Sequence, residues 1–179
     1  MSKIAVLCND GVEEIECLTV VDFCRRAGIE VITVSVTGKR QIMGAHQIVF
    51  HADEVYADMN FDEFDGIVYP GGPGTGAMSE KPGVKELAQK FLNNGKMLAA
   101  ICAAPGMISE TGILKEKHAT GYPGCKPEGG AIWSEDAAVV DGNLVTGKGP
   151  GAAAEFAIEI IRYLAGDIKA EQIRTSTMM

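Results

Sequence analysis

KIAVLCNDGVEEIECLTVVDFCRRAGIEVITVSV, residues 3–36, decides the fold. KIAVLC is a short apolar run, suited to a strand buried on both faces. NDG makes a turn, and Asp10 followed by Glu13 resembles a capping box with Asp in the Ser/Thr place. The spacing predicts a helix from Val12 to Ala27, stopped by Gly28. EVITVSV is rich in β-branched residues and reads as the next strand. A strand, a helix and a second strand in this order argue for a parallel pair, so the fold class is α/β.

The rest of the chain continues the alternation. Residues 38–53 contain two short extended pieces around Gly44 and read as a hairpin. FDGIVYP (64–70) is a buried strand, and GGPGTGAM (71–78) is a loop at its end. Pro82 and Gly95 bracket a helix over VKELAQKFLNN. KMLAAI (96–101) is another strand, and a helix begins after Cys102 with Pro105 in its first turn. Residues 112–130 read as irregular. Asp141-Gly142 between β-like runs signals a hairpin. Over 152–166, Ala153, Phe156, Ile160 and Leu164 share one helical face. The final QIRTSTMM reads as frayed. The expected architecture is a three-layer α/β/α sandwich around a mostly parallel sheet, built as one domain over residues 1–179.

Composition narrows the function. Of the 179 residues, 46% are apolar and 22% charged, as in a soluble globular protein. The net charge of -8 disfavours nucleic acid and anionic membrane surfaces as partners. Met1-Ser2 leads straight into KIAVLCND, which does not read as a secretory signal, and no apolar run reaches the length of a membrane span. The five cysteines are odd in number, without a CxxC or a zinc spacing. They point to free thiols in a reducing cytoplasm, with no metal and no cofactor.

Two glycine-rich loops invite a nucleotide reading. GPGTGA (72–77) fits a loose G-x-G-x-x-A fingerprint but does not follow the first strand, where that fingerprint sits. GNLVTGKG (142–149) is one residue from a phosphate-binding loop, yet its first Gly belongs to the predicted hairpin. Both read more simply as turns.

MLAAICAAPGM (97–107) holds the sharper candidate. A nucleophile displayed on a tight strand-to-helix turn needs small residues two before and two after it. Ala100 and Ala104 hold those places around Cys102. Such a turn aims the next amide, Ala103, at whatever the sulfur attacks, and a helix start beneath the thiol favours the thiolate. The alternative is a buried cysteine acting as a small hydrophobe. Glu16 is the second candidate. At 100° per residue it lies within about 40° of Val20, Phe23 and Ala27 on the apolar stripe. A carboxyl there needs a partner, such as the Cys102 thiol; the alternative is a marginally buried first-turn acid. Glu13 and Glu14 read as solvated first-turn acids.

Together these segments resemble the ThiJ/PfpI superfamily, in the small branch that contains the Parkinsonism-associated deglycase. The resemblance is carried by VEEIE (12–16), VDFCRRAGIEV (21–31), YPGGPGTGA (69–77), AAICAAPGM (99–107), TGYP (120–123) and GPGAAAEFAIEII (149–161). It implies a flavodoxin-like sandwich and a homodimer. It also implies that Cys102 is the reactive, oxidation-prone nucleophile, that Glu16 is its carboxylic partner, and that Gly72 and Ala103 supply amides to an oxyanion.

Departures from the family pattern narrow the chemistry. The protease-like branch has a His directly after its Cys, where this chain has Ala103, so protease or amidase activity is disfavoured. Tyr122 stands where some relatives carry a His facing the site. His46 falls where close relatives carry a basic residue near the dimer interface, and reads either as an accessory group or as an exposed strand residue. The resemblance implies a stress-response protein: a glutathione-independent glyoxalase or deglycase acting on methylglyoxal, glyoxal or early glycation adducts. The alternative is a redox sensor or chaperone in which Cys102 is oxidised to the sulfinic acid.

Overall fold

The computed structural model describes residues 1–128 and 130–179. The elements run β1 (Lys3–Cys8), α1 (Glu14–Arg26), β2 (Glu30–Ser35), β3 (Gln41–Met43), β4 (Val49–His51), β5 (Glu54–Val55), β6 (Gly66–Tyr69), α2 (Thr75–Ser79), α3 (Val84–Asn93), β7 (Met97–Ile101), α4 (Ala104–Ser109), β8 (His118–Ala119), β9 (Ile132–Trp133), β10 (Ala138–Asp141), β11 (Leu144–Gly147), α5 (Ala153–Ala165) and α6 (Asp167–Ser176).

The main sheet has seven strands in the order β10-β11-β7-β6-β1-β2-β5. All its pairs are parallel except the β10–β11 hairpin. Alternate residues of β1 enter opposite cores. Ile4, Val6 and Cys8 pack with α1, α5 and α6. Ala5 and Leu7 pack with α2, α3 and α4. That double burial is why these strands are continuously apolar, and it confirms the expected flavodoxin-like sandwich.

The chain leaves β1 toward β2 on one side and later returns to β6 on the other side of β1. A crevice opens at the carboxyl ends of strands at such a reversal. Glu16 follows β1, Gly71 follows β6 and Cys102 follows β7. Three adjacent strands therefore deliver them to one edge.

Several local expectations are corrected. Asp10 does not cap α1: the cap position is Glu13, and no side chain caps the helix there. Asp10 instead accepts the Met43 amide at 2.9 Å and pairs with Lys39. The GGPGTGAM stretch is loop only to Gly74, because Thr75–Ser79 is helical. Residues 118–119, inside the segment read as irregular, form a small parallel pair with residues 132–133 just beyond it. The C-terminal segment is the helix α6, held to α5 by two contacts from Arg174 to Glu155 at 2.9 and 2.6 Å. Ala170 and Ile173 on α6 are buried in the core.

Candidate active site

The site is built around a strained residue. Cys102 has φ +65°, the left-handed region that a side chain occupies at a cost of about 1–2 kcal/mol. Its backbone is held from both sides. The Cys102 amide donates to the Gly147 carbonyl at 2.9 Å, and the Cys102 carbonyl accepts the Tyr122 amide at 2.8 Å. Ala100 and Ala104 are buried on either side of the turn, as the small-residue spacing requires. α4 starts at Ala104 with Pro105 in its first turn.

Glu16 is fully buried, at 0% exposure. One carboxyl oxygen, Oε2, accepts the Gly71 amide at 2.8 Å. The other, Oε1, has no hydrogen-bond partner among the described residues. A Cβ on Gly71 would lie 2.6 Å from Cys102 Cβ and 2.9 Å from Glu16 Oε2. Only glycine lets the β6 loop pass between the thiol and the acid.

Burial pushes the Glu16 carboxyl up to about 7, against the pull of the Gly71 amide and the Cys102 thiol. Burial, then the charge of the nearby Glu16 carboxylate, push the Cys102 thiol up to about 12. The amides of Gly72 and Ala103 pull it back down. The helix start is expected to favour the thiolate; the Gly72 and Ala103 amides act in that direction, and burial and the facing carboxylate act against it. With its carboxyl raised to about 7, Glu16 is a group that can take up the thiol proton near neutral pH.

A cleft of about 470 Å³ opens beside this pair. Cys102, Gly72, Ala103, Glu13, Tyr122 and Cys125 are among its lining residues. Cys102 itself is 8% exposed. Tyr122 stands half-exposed at the rim, and no histidine among the described residues lines the cleft. Glu13 and Cys125 carried no site signal in the sequence. Cys125 is brought in by a turn whose Pro123-Gly124 pair was visible, but whose docking was not.

His46 is not in the cleft. It sits in the β3–β4 turn, with its side chain 69% exposed. Its amide donates to Glu14 Oε1 at 2.7 Å, and its Nδ1 lies 2.9 Å from Glu14 Oε2. Glu13 and Glu14 are consequently not solvated: they are 7% and 4% exposed, covered by the hairpin. Donor atoms of Glu13, Glu14 and His46 all lie within 4.8 Å of one another, the one such three-residue group among the described residues. Glu14 already has both oxygens engaged by His46. The glycine loop also spends its amides internally: Gly71 on Glu16, Gly74 on the Gly11 carbonyl and Thr75 on the Gly72 carbonyl. Residues 142–149 begin in the β10–β11 hairpin turn.

Comparison with known proteins identifies relatives of the whole chain. Protein dj-1beta of Drosophila melanogaster is 38% identical over 178 residues, covering 97% of this chain and 95% of that one. The crystal structure of Drosophila DJ-1beta superposes with a TM-score of 0.93 over 100% of this chain and 99% of that chain, at 35% identity. A glutathione-independent glyoxalase of Caenorhabditis elegans is 32% identical over 96% of this chain and 93% of its own. A deglycase of Pyrococcus abyssi is 31% identical over 90% of this chain and 99% of its own. The DJ-1/PfpI family model matches residues 2–163. With that match over most of its length, the chain belongs to the DJ-1/PfpI family.

Proposed function

We propose that this protein is a cysteine-dependent, glutathione-independent glyoxalase or deglycase acting on 2-oxoaldehydes such as methylglyoxal and glyoxal, or on early glycation adducts. One observation carries the reading: a fully buried Glu16, tuned to about 7 and with one oxygen unpartnered, faces Cys102 across Gly71. As sulfur adds to the aldehyde carbon, the thiol proton passes to Glu16. The Gly72 and Ala103 amides stabilise the new oxyanion, which then takes the proton back and leaves a hemithioacetal. Glu16, again a carboxylate, removes the C1 proton and returns it at C2, giving a thioester. Water cleaves that to the 2-hydroxy acid and the free thiol. The net reaction is one 2-oxoaldehyde plus one water to one 2-hydroxy acid. The names of the worm and archaeal relatives support the same chemistry.

Methylglyoxal consumption tests it. Cys102→Ser and Glu16→Gln are each expected to abolish turnover; wild-type rates in either variant overturn the reading. A protease reading is less well supported, since no histidine among the described residues lines the cleft.

A second reading rests on the unpartnered Glu16 Oε1. A carboxyl in that position would bind the oxygens of an oxidised Cys102, as a redox sensor or redox-regulated chaperone requires. Peroxide treatment followed by mass spectrometry tests it, and absence of preferential oxidation at Cys102 argues against it. Either role suits a cytoplasmic protein of one domain.

An exposed apolar set also supports a homodimer. Ile15 and Leu18 on α1, with Met43, Ile48 and Val49 on the β3–β4 hairpin, are each at least 39% exposed. The hairpin lies against the start of α1 through the Ala45 amide to the Val12 carbonyl at 2.8 Å. No helix among the described residues is long and apolar enough to cross a membrane.

A further inference from the structure

Five cysteines are present and all are free. Cys8, Cys17 and Cys24 are fully buried. The sulfurs of Cys8 and Cys17 lie 3.4 Å apart and face each other inside the core. Cys125 differs: it is part-exposed and lines the same cleft as Cys102.

Its placement is built rather than incidental. Tyr122-Pro123-Gly124-Cys125 is a tight turn, closed by the Cys125 amide to the Tyr122 carbonyl at 3.0 Å. Pro123 fits the second position and Gly124, at φ +86°, the third position of a type II turn. The turn hangs on the candidate nucleophile itself, because the Tyr122 amide donates to the Cys102 carbonyl at 2.8 Å. From the other side α4 closes on it: a Cβ on Gly106 would come within 2.0 Å of the Cys125 carbonyl oxygen. The backbone of Cys125 is thus gripped between the Cys102 turn and the helix that follows it.

We propose that Cys125 is the resolving thiol of this cleft, and that the pair reduces small hydroperoxides. This rests on the reading of Cys102 as the nucleophile. Cys102 sulfur attacks the peroxide, so that Cys102–SH and ROOH give Cys102–SOH and ROH. Cys125 sulfur then attacks the sulfenic sulfur, forming the Cys102–Cys125 disulfide and releasing water. An external dithiol reduces the disulfide, returns both thiols and leaves as its own disulfide. Cys125 intercepts the sulfenic acid before a second peroxide converts it irreversibly to the sulfinic acid. The unpartnered Glu16 Oε1 is available to donate the proton that the departing oxygen needs.

Peptide mapping under non-reducing conditions, after two equivalents of hydrogen peroxide and iodoacetamide quenching, tests the proposal. The wild type is expected to lose two hydrogens and to join the peptides that carry Cys102 and Cys125, with dithiothreitol restoring both thiols. Cys125→Ser is expected to gain two oxygens at Cys102 and to resist dithiothreitol. A bridge needs the two Cα atoms within about 7 Å, a condition the joined peptides read directly. If the wild type gains two oxygens at Cys102 while Cys125 is alkylated, Cys125 does not resolve and only this proposal falls. If Cys102 is unmodified in both proteins, the reading of Cys102 as nucleophile falls with it.

Discussion

The Gly71 amide donates to Glu16 Oε2 at 2.8 Å, and the same glycine separates Glu16 from Cys102. A methyl group there would press on Cys102 Cβ at 2.6 Å and on Glu16 Oε2 at 2.9 Å. Gly71→Ala is therefore expected to destabilise the fold by about 1–3 kcal/mol through overpacking and to slow methylglyoxal consumption more than tenfold. Urea denaturation and steady-state rates check both effects. Unchanged kinetics would show that the spacing of thiol and acid is not critical.

Glu16 makes stability depend on pH with a definite sign. Its carboxyl is raised from 4.5 to about 7 in the folded chain. Between those values the native state holds a proton that the unfolded state has lost, so stability falls as pH rises through this window. The full effect is about 3 kcal/mol as an upper figure. Glu16→Gln keeps an acceptor for the Gly71 amide and removes the charge. It is expected to leave stability unchanged at pH 4 and to raise it at pH 8, measured as the difference from wild type in urea midpoint.

Cys102 carries backbone strain independent of its chemistry. Cys102→Ala and Cys102→Gly both delete the sulfur, but only glycine relaxes at φ +65°. Cys102→Gly is expected to be more stable than Cys102→Ala by about 1 kcal/mol. Thermal unfolding of the two variants gives the comparison, and equal melting temperatures would remove strain from the account of this turn.

His46 ties the β3–β4 hairpin to α1 in a pH-dependent way. The Glu14 hydrogen bond and the Glu13 and Glu14 charges raise His46 above its ordinary value, while burial opposes. A group raised in the folded state stabilises below its unfolded value and loses that contribution as pH rises through its folded one. Protection of the His46 amide against hydrogen exchange, corrected for the intrinsic rate, is expected to drop above neutral pH. In His46→Ala that pH dependence should vanish.

The apolar face on α1 and the hairpin carries the dimer prediction. Sedimentation of the wild type is expected to give twice the monomer mass, and Leu18→Asp to shift it toward the monomer. A wild-type monomer at micromolar concentration would refute the interface.

Local pattern made much of this legible. The period-3.6 stripe placed Glu16 inward among Val20, Phe23 and Ala27, and the flanking alanines marked the Cys102 turn. What escaped was set by segments distant in sequence. Glu13 and Glu14 look solvated in a first helical turn, and they are covered because a hairpin more than thirty residues later brings His46 to them. The end of the chain lacks a strong apolar stripe, yet it is helical because Ala170 and Ile173 dock and Arg174 reaches back to Glu155. The amide donors that favour the thiolate were legible in the turn, while the depth of burial that opposes them belongs to the assembled core.

The Gly147 carbonyl that holds the Cys102 amide lies at the end of β11, the last strand of the chain. A polypeptide leaving the ribosome exposes position 102 well before position 147 exists. Until β11 is made, the left-handed turn lacks one of its two restraints and Cys102 is an ordinary thiol on an unfinished sheet. The left-handed turn at Cys102 therefore belongs to the completed molecule, because the strand that restrains it is made last.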